Sequence, residues 1–84
     1  MCIRDRVVDT PLSEAAIVGT AVGLAAEGFV PVPEIQFADF AHLAFDQLIN
    51  EAARWRWRSN NGYGCPMTVR IPYGAGIGLS LIHI

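Results

Sequence analysis

The chain contains no lysine. All six of its basic residues are arginine, set against eight acids, for a net charge of −2. A weakly acidic chain lacks the basic face that general nucleic-acid binding requires. Cysteine is nearly absent as well. Cys2 lies at the extreme N-terminus, which leaves Cys65 alone in the body of the chain. One thiol closes no internal disulfide, and this fits a reducing compartment. Long apolar runs are also missing. The clearest apolar window, Ala15 to Ala26, is interrupted by Gly19, Thr20 and Gly23 and is too short to span a bilayer. Histidine is scarce: outside the last residues there is only His42, expected to be partly buried and structural, and nothing sits at zinc-ligand spacing from it. What is abundant is apolar surface. Hydrophobic residues make up 52% of the 84 residues and charged ones 17%, more apolar than usual, although a chain this short has a marginal core. With no secretory signal, a cytoplasmic or organelle-matrix protein is expected, with neither membrane nor nucleic acid as partner.

The two ends resemble each other at the level of codons. Met1-Cys2-Ile3-Arg4-Asp5-Arg6 and Leu79-Ser80-Leu81-Ile82-His83-Ile84 back-translate into strings that are reverse complements. A sequencing-library adaptor has this form when translated, so residues 1–6 and 79–84 are expected to be adaptor-derived and are excluded from fold reasoning. Without them the balance is four Arg against seven acids, a net of −3.

Between the ends, strand and helix patterns alternate. Val7-Val8 is expected to end a first strand. Pro11 to Ser13 forms a turn with Ser13 as N-cap. A helix is expected from Glu14 to Ala26, closed by Gly28. Phe29 to Phe37 is expected to be a buried strand, with Pro31 and Pro33 near its start. A second helix is expected from Asp39 to Arg58, a loop at Asn60-Asn61-Gly62, and a third strand from Met67 to Ile71. The fold class is therefore α/β: a β-α-β-α-β unit with a parallel sheet and right-handed crossovers, part of a doubly wound domain over residues 7–78.

The chemistry concentrates on one residue. Asp9-Thr10-Pro11-Leu12-Ser13-Glu14, followed by Ile17-Val18-Gly19, places a carboxylate at the mouth of an apolar helix. A carboxylate in apolar surroundings is suited to exchanging protons with a ligand. Taken alone, an acid in a first turn is more often a favourable charge at the helix dipole. Gly19 and Gly23, one turn apart, are expected to allow close packing on a neighbour. Arg54-Trp55-Arg56-Trp57-Arg58 interleaves cations and aromatics, but the run is short and the chain acidic, so structure or subunit contact is favoured over nucleic acid. Gly74-Ala75-Gly76-Ile77-Gly78 is only superficially a phosphate loop.

The motif around Glu14, together with Glu34-Ile35-Gln36-Phe37-Ala38-Asp39-Phe40, Ala44-Phe45-Asp46-Gln47 and Asn50-Glu51-Ala52-Ala53, resembles the beta subunit of the decarboxylating component of 2-oxo acid dehydrogenase complexes. The resemblance covers nearly all of residues 7–78. It implies a transketolase-like pyrimidine-binding domain in which Glu14 binds the aminopyrimidine of thiamine diphosphate and shares a proton with it, and Phe40 packs against that ring. It also implies a metal role for Cys65, Met67 and Thr68, whose backbone oxygens would contribute to a potassium site. Magnesium and the diphosphate would be held by the alpha subunit. The implied partners are that alpha subunit, a second beta subunit and the lipoyl-bearing acyltransferase core. The implied reaction is oxidative decarboxylation of a 2-oxo acid with acyl transfer to lipoyl. The sequence departs from the pattern at Phe40, where many relatives have Tyr, at Ala41-His42-Leu43, and in lacking the active-site His that follows the Gly-rich loop. Two other readings stand beside this one: a non-catalytic interaction module of the same fold, and a translated assembly fragment with no function of its own.

Overall fold

The computed structural model describes residues 5–74. Helix α1 spans Glu14–Ala26, as the sequence predicts. The segment has no proline and is rich in alanine, the strongest helix former. Its buried residues, Glu14, Val18, Ala21, Val22 and Ala25, recur at helical spacing and form one stripe. Ser13 takes the extended backbone of an N-cap, but its hydroxyl makes no capping bond. The other end is a Schellman motif. The Gly28 N–H donates to the Ala25 carbonyl and the Phe29 N–H to the Leu24 carbonyl, both at 3.1 Å. Gly28 sits at φ +99°, a conformation that glycine adopts without strain.

The second helix differs from expectation. Its path is helical, but in three hydrogen-bond registers: a 3₁₀ segment over Ala38–Ala44, a π-helical turn over Asp46–Ala52, and a short α2 over Trp55–Arg58. The burial pattern accounts for the change. A 3₁₀ turn stacks residue i over i+3. Phe37 and Phe40 meet edge-on with ring centroids 6.0 Å apart, and Ala41 and Ala44 both reach the core. The wider π turn, closed by Ala53 N–H donating to the Leu48 carbonyl at 2.9 Å, keeps Leu48 on the side of Ala44. A period read from sequence selects the same buried residues in any of these registers.

The expected sheet is reduced to a parallel pairing of two extended segments. Thr68 N–H donates to the Pro31 carbonyl, Arg70 N–H to that of Pro33, Ile35 N–H to that of Arg70, and Ala38 N–H to that of Pro72. Only Glu34 and Arg70 form a bridge pair, and among the described residues no strand is assigned. Proline explains why the ladder stops. A parallel ladder needs an N–H at alternate positions on each side of the bridge. The next donors required are at positions 33 and 72, and both are proline. The alternation survives: Pro33 and Ile35 are buried, and Met67, Val69 and Ile71 half-buried, while Glu34, Gln36, Thr68 and Arg70 are exposed. Val7 and Val8, expected in a first strand, are exposed and make no ladder bond among the described residues. The N–H groups that a strand must satisfy have no neighbouring strand there.

The core lies between α1 and this pairing. Val18, Ile35 and Ala44 are fully buried, surrounded by Phe40, Ala41, Leu48, Met67, Val69 and Ile71. The radius of gyration is 14.5 Å, against ~12 Å for a compact domain of this length. Large apolar side chains such as Val30, Val32 and Tyr73 remain in water.

Candidate functional site: a glutamate at the mouth of α1

Glu14 is the first residue of α1 and begins its buried stripe, one turn before Val18. It is 8% exposed and is the only buried charged residue among those described. No side chain there donates a hydrogen bond to it and no cation pairs with it; the ion pairs are Arg58 with Glu51 at 3.4 Å and Arg70 with Glu34 at 3.2 Å. The residue is buried, but its carboxylate oxygens keep contact with solvent: among the described residues the buried side-chain polar atom left without a partner is Trp55 Nε1. Two features of the position favour a carboxylate there. The carboxylate lies at the positive end of the helix dipole. The backbone N–H groups of Glu14, Ala15 and Ala16 have no acceptor among the described residues, because the Ser13 hydroxyl does not cap the helix. The arrangement leaves a carboxylate and nearby donors available to a ligand.

Phe40 lies on the 3₁₀ segment, which packs against α1. Its ring is half-buried and rests on the cluster of Val18, Ile35 and Ala44. Phe40 thus packs on the cluster that contains Val18, and Glu14 lies one turn before Val18 on α1. The third expected group is separate. Met67 packs into the core, Thr68 is exposed, and Cys65 is half-buried. Their carbonyls accept no hydrogen bond among the described residues. Burial pushes the Cys65 thiol above its ordinary pKa, so the neutral form is favoured. Among the described residues no group of His, Cys, Asp and Glu side chains could hold a metal ion.

Other expected features resolve differently. His42 is exposed, not partly buried, because the 3₁₀ turn directs Ala41 and Ala44 inward on either side of it. The arginine–tryptophan run does not form a continuous basic and aromatic face. Trp55 is half-buried and packs edge-on against Tyr63 at 6.4 Å, Arg58 pairs with Glu51, and Trp57 is 87% exposed. A groove of 490 Å³ lined by Ala53, Arg56, Trp57, Asn60 and Asn61 lies beside it, and its lining includes neither Glu14 nor Phe40. Of the glycine loop only Gly74 lies within the described residues; the rest is outside them, as are most of the two terminal hexapeptides. One contact went unread in the sequence. A Cβ on Gly19 would lie 3.1 Å from Gln47 Oε1, so α1 and the π turn approach closely there. The glycine was legible as a packing residue. Its partner was not, because the π register that directs Gln47 to it leaves no sequence signature. A Cβ on Gly23 would meet nothing within 4 Å.

The chain belongs to the family of the transketolase pyrimidine-binding domain, which matches it over residues 3–79, and that domain is α/β in its homologues. The chain is 52% identical over 80 residues to the 2-oxoisovalerate dehydrogenase subunit beta of Bacillus subtilis, covering 95% of this chain and 24% of that protein. It is 58% identical over 72 residues to the Pseudomonas aeruginosa protein of the same name, covering 86% and 21%. It is 47% identical over 80 residues to the pyruvate dehydrogenase E1 component subunit beta of Staphylococcus epidermidis, covering 95% and 25%. The chain therefore spans about a quarter of the length of these relatives. Among the described residues no helix is long and apolar enough to cross a membrane.

Proposed function

We propose that residues 7–78 are part of the pyrimidine-binding domain of a 2-oxo acid dehydrogenase beta subunit, and that Glu14 and Phe40 hold the aminopyrimidine of thiamine diphosphate. The observation that carries this reading is Glu14 at the start of α1, 8% exposed as a residue and without a side-chain partner among the described residues. A carboxylate without an internal partner fits a heterocycle that offers a nitrogen able to share a proton. The half-buried ring of Phe40 on the same core fits an apolar wall for that heterocycle. When bound, thiamine diphosphate supplies the carbanion chemistry by which a 2-oxo acid loses carbon dioxide; the protein orients and tunes it. Glu14 would hold and return a proton at the pyrimidine. The low-dielectric surroundings of Val18 and its neighbours would strengthen that hydrogen bond. Phe40 would fix the plane of the ring and exclude water from one face.

The remaining parts of the reading rest on the relatives. Their names include 2-oxoisovalerate and pyruvate, so the substrate class is a 2-oxo acid with acyl transfer to a lipoyl group. Their designation as beta subunits supports assembly with an alpha subunit holding the diphosphate and magnesium, a second beta subunit, and the acyltransferase core. The exposed apolar residues of the outer faces, Val30, Val32 and Trp57 among them, suit such burial. The free carbonyls of Cys65, Met67 and Thr68 supply oxygen donors appropriate to potassium. A bacterial parent would be cytoplasmic, and a eukaryotic one would lie in the mitochondrial matrix.

The test is Glu14→Gln in the full-length parent assembled with its alpha subunit. The amide keeps the shape and loses the exchangeable proton. Oxo-acid turnover should fall ~100- to 10,000-fold, the usual contribution of a positioned acid–base group. Near-parental turnover would remove Glu14 from the mechanism.

A further inference from the structure

The side chain of Gln47 lies between the π turn and Gly19 of α1. It is half-buried, and its Oε1 would lie 3.1 Å, and its Cδ 3.3 Å, from a Cβ placed on Gly19. A contact that tight leaves no room for a methyl group unless the carboxamide moves. One exposed contact biases the orientation of the carboxamide. Its Nε2 faces Asp46 Oδ2 at 3.5 Å, and Asp46 Oδ1 accepts from Asn50 Nδ2 at 2.7 Å. The three polar side chains are neighbours on the π turn, and together they turn the amide nitrogen toward Asp46 and the oxygen toward Gly19. The same turn carries Leu48, which packs on the Val18 cluster immediately beside Gly19 on α1. Gly19 lies five residues from Glu14 on a continuous helix of thirteen residues, so a change in standoff at Gly19 is transmitted to Glu14 as a tilt of α1.

We propose that Gln47 is a positioning residue: its carboxamide, seated against the bare Cα of Gly19, sets the distance between the π turn and α1 and thereby where α1 presents Glu14. This rests on the reading of Glu14 given above. The π register is what makes the contact possible, in keeping with the frequent placement of such turns near functional sites.

The experiment uses the full-length parent assembled with its alpha subunit and compares Gly19→Ala, Gln47→Ala, Gln47→Met and the Gly19→Ala/Gln47→Ala double variant. Three quantities are read: the thermal melt, the calorimetric affinity for thiamine diphosphate with magnesium, and the turnover of a 2-oxo acid. Misplacing a reacting group by 1 Å costs up to ~100-fold. Gly19→Ala is therefore expected to weaken cofactor affinity and lower turnover about tenfold with an unchanged melting temperature, and the double variant to recover most of both. Gln47→Met, which keeps the length of the spacer, is expected to stay close to the parent, while Gln47→Ala loses affinity. Losses that simply multiply in the double variant would overturn the proposal, because independent sites show no coupling. Equal behaviour of Gln47→Met and Gln47→Ala would overturn it too, and this arm stands even if Gly19→Ala does not assemble. Glu14→Gln is measured alongside. If it keeps full turnover, the Glu14 reading fails; if it is inactive while Gly19 and Gln47 are uncoupled, only the positioning role fails.

Discussion

Helix α1 and the segment from residue 38 to 58 face each other across one core, yet one is regular and the other is built in three registers. α1 has a stripe at i, i+4, i+7, i+8 and i+11, which a 3.6-residue turn serves without distortion. The opposite segment must bury Phe40, Ala41, Ala44 and Leu48 while accommodating the Phe37 ring at its start. It tightens, then widens, to do so. Backbone regularity thus follows from how well the buried positions match the natural period, and local adjustments collect where they do not. The carboxylate assigned to chemistry lies on the regular element. The contact proposed to place it lies on the adjusted one.

Three substitutions sharpen this contrast. The largest effect is expected from Val18→Asp, which puts an unpaired carboxylate into the common core at its fully buried centre. Uncompensated burial of a charge costs several kcal/mol, so the full-length parent carrying it should fail to accumulate as soluble assembled protein. Soluble, cooperatively melting material would show that α1 is not packed through Val18. An intermediate effect is expected from Gly28→Ala, which forces an alanine to φ +99° at the end of α1. A left-handed non-glycine residue costs about 1–2 kcal/mol, readable as a lowered denaturation midpoint; an unchanged midpoint would mean that α1 does not end in the Schellman motif. The smallest effect concerns Cys65. Its folded-state pKa is raised by burial, so its contribution to stability is fully present below the ordinary thiol range and is lost as pH rises through the raised value. Since the thiolate is the nucleophile, alkylation of the folded parent should lag behind that of a free thiol and accelerate only at higher pH. A rate matching that of the unfolded chain would place Cys65 at the surface.

The sequence carried α1 down to its ends. Its stripe, the Ser13 boundary and the glycine at Gly28 are all local signals. It also carried the parallel relation of the segments around Glu34 and Arg70. It did not carry the failure of the ladder to extend, although the cause is in plain sight. Pro33 reads locally as the start of a strand, while the consequence of Pro33 and Pro72 depends on register: each falls where the parallel pattern requires a donor. The three helical registers after Ala38 were not legible, because all of them bury nearly the same side chains. That also hid the approach of Gln47 to Gly19 and the exposure of His42. Glu14 was legible as a candidate from its place before an apolar stripe; that its carboxylate is left without a partner is a property of the packed chain alone.

The central claim is that Glu14 exchanges a proton with a bound pyrimidine, and proton linkage measures this directly. Thiamine diphosphate is titrated calorimetrically, with magnesium present, into the full-length assembled parent and its Glu14→Gln variant, in buffers of differing ionisation enthalpy. The heat of binding to the parent should depend on the buffer, reporting proton uptake or release, and that dependence should vanish in the glutamine variant. The same number of protons exchanged in both proteins would contradict the assignment of Glu14.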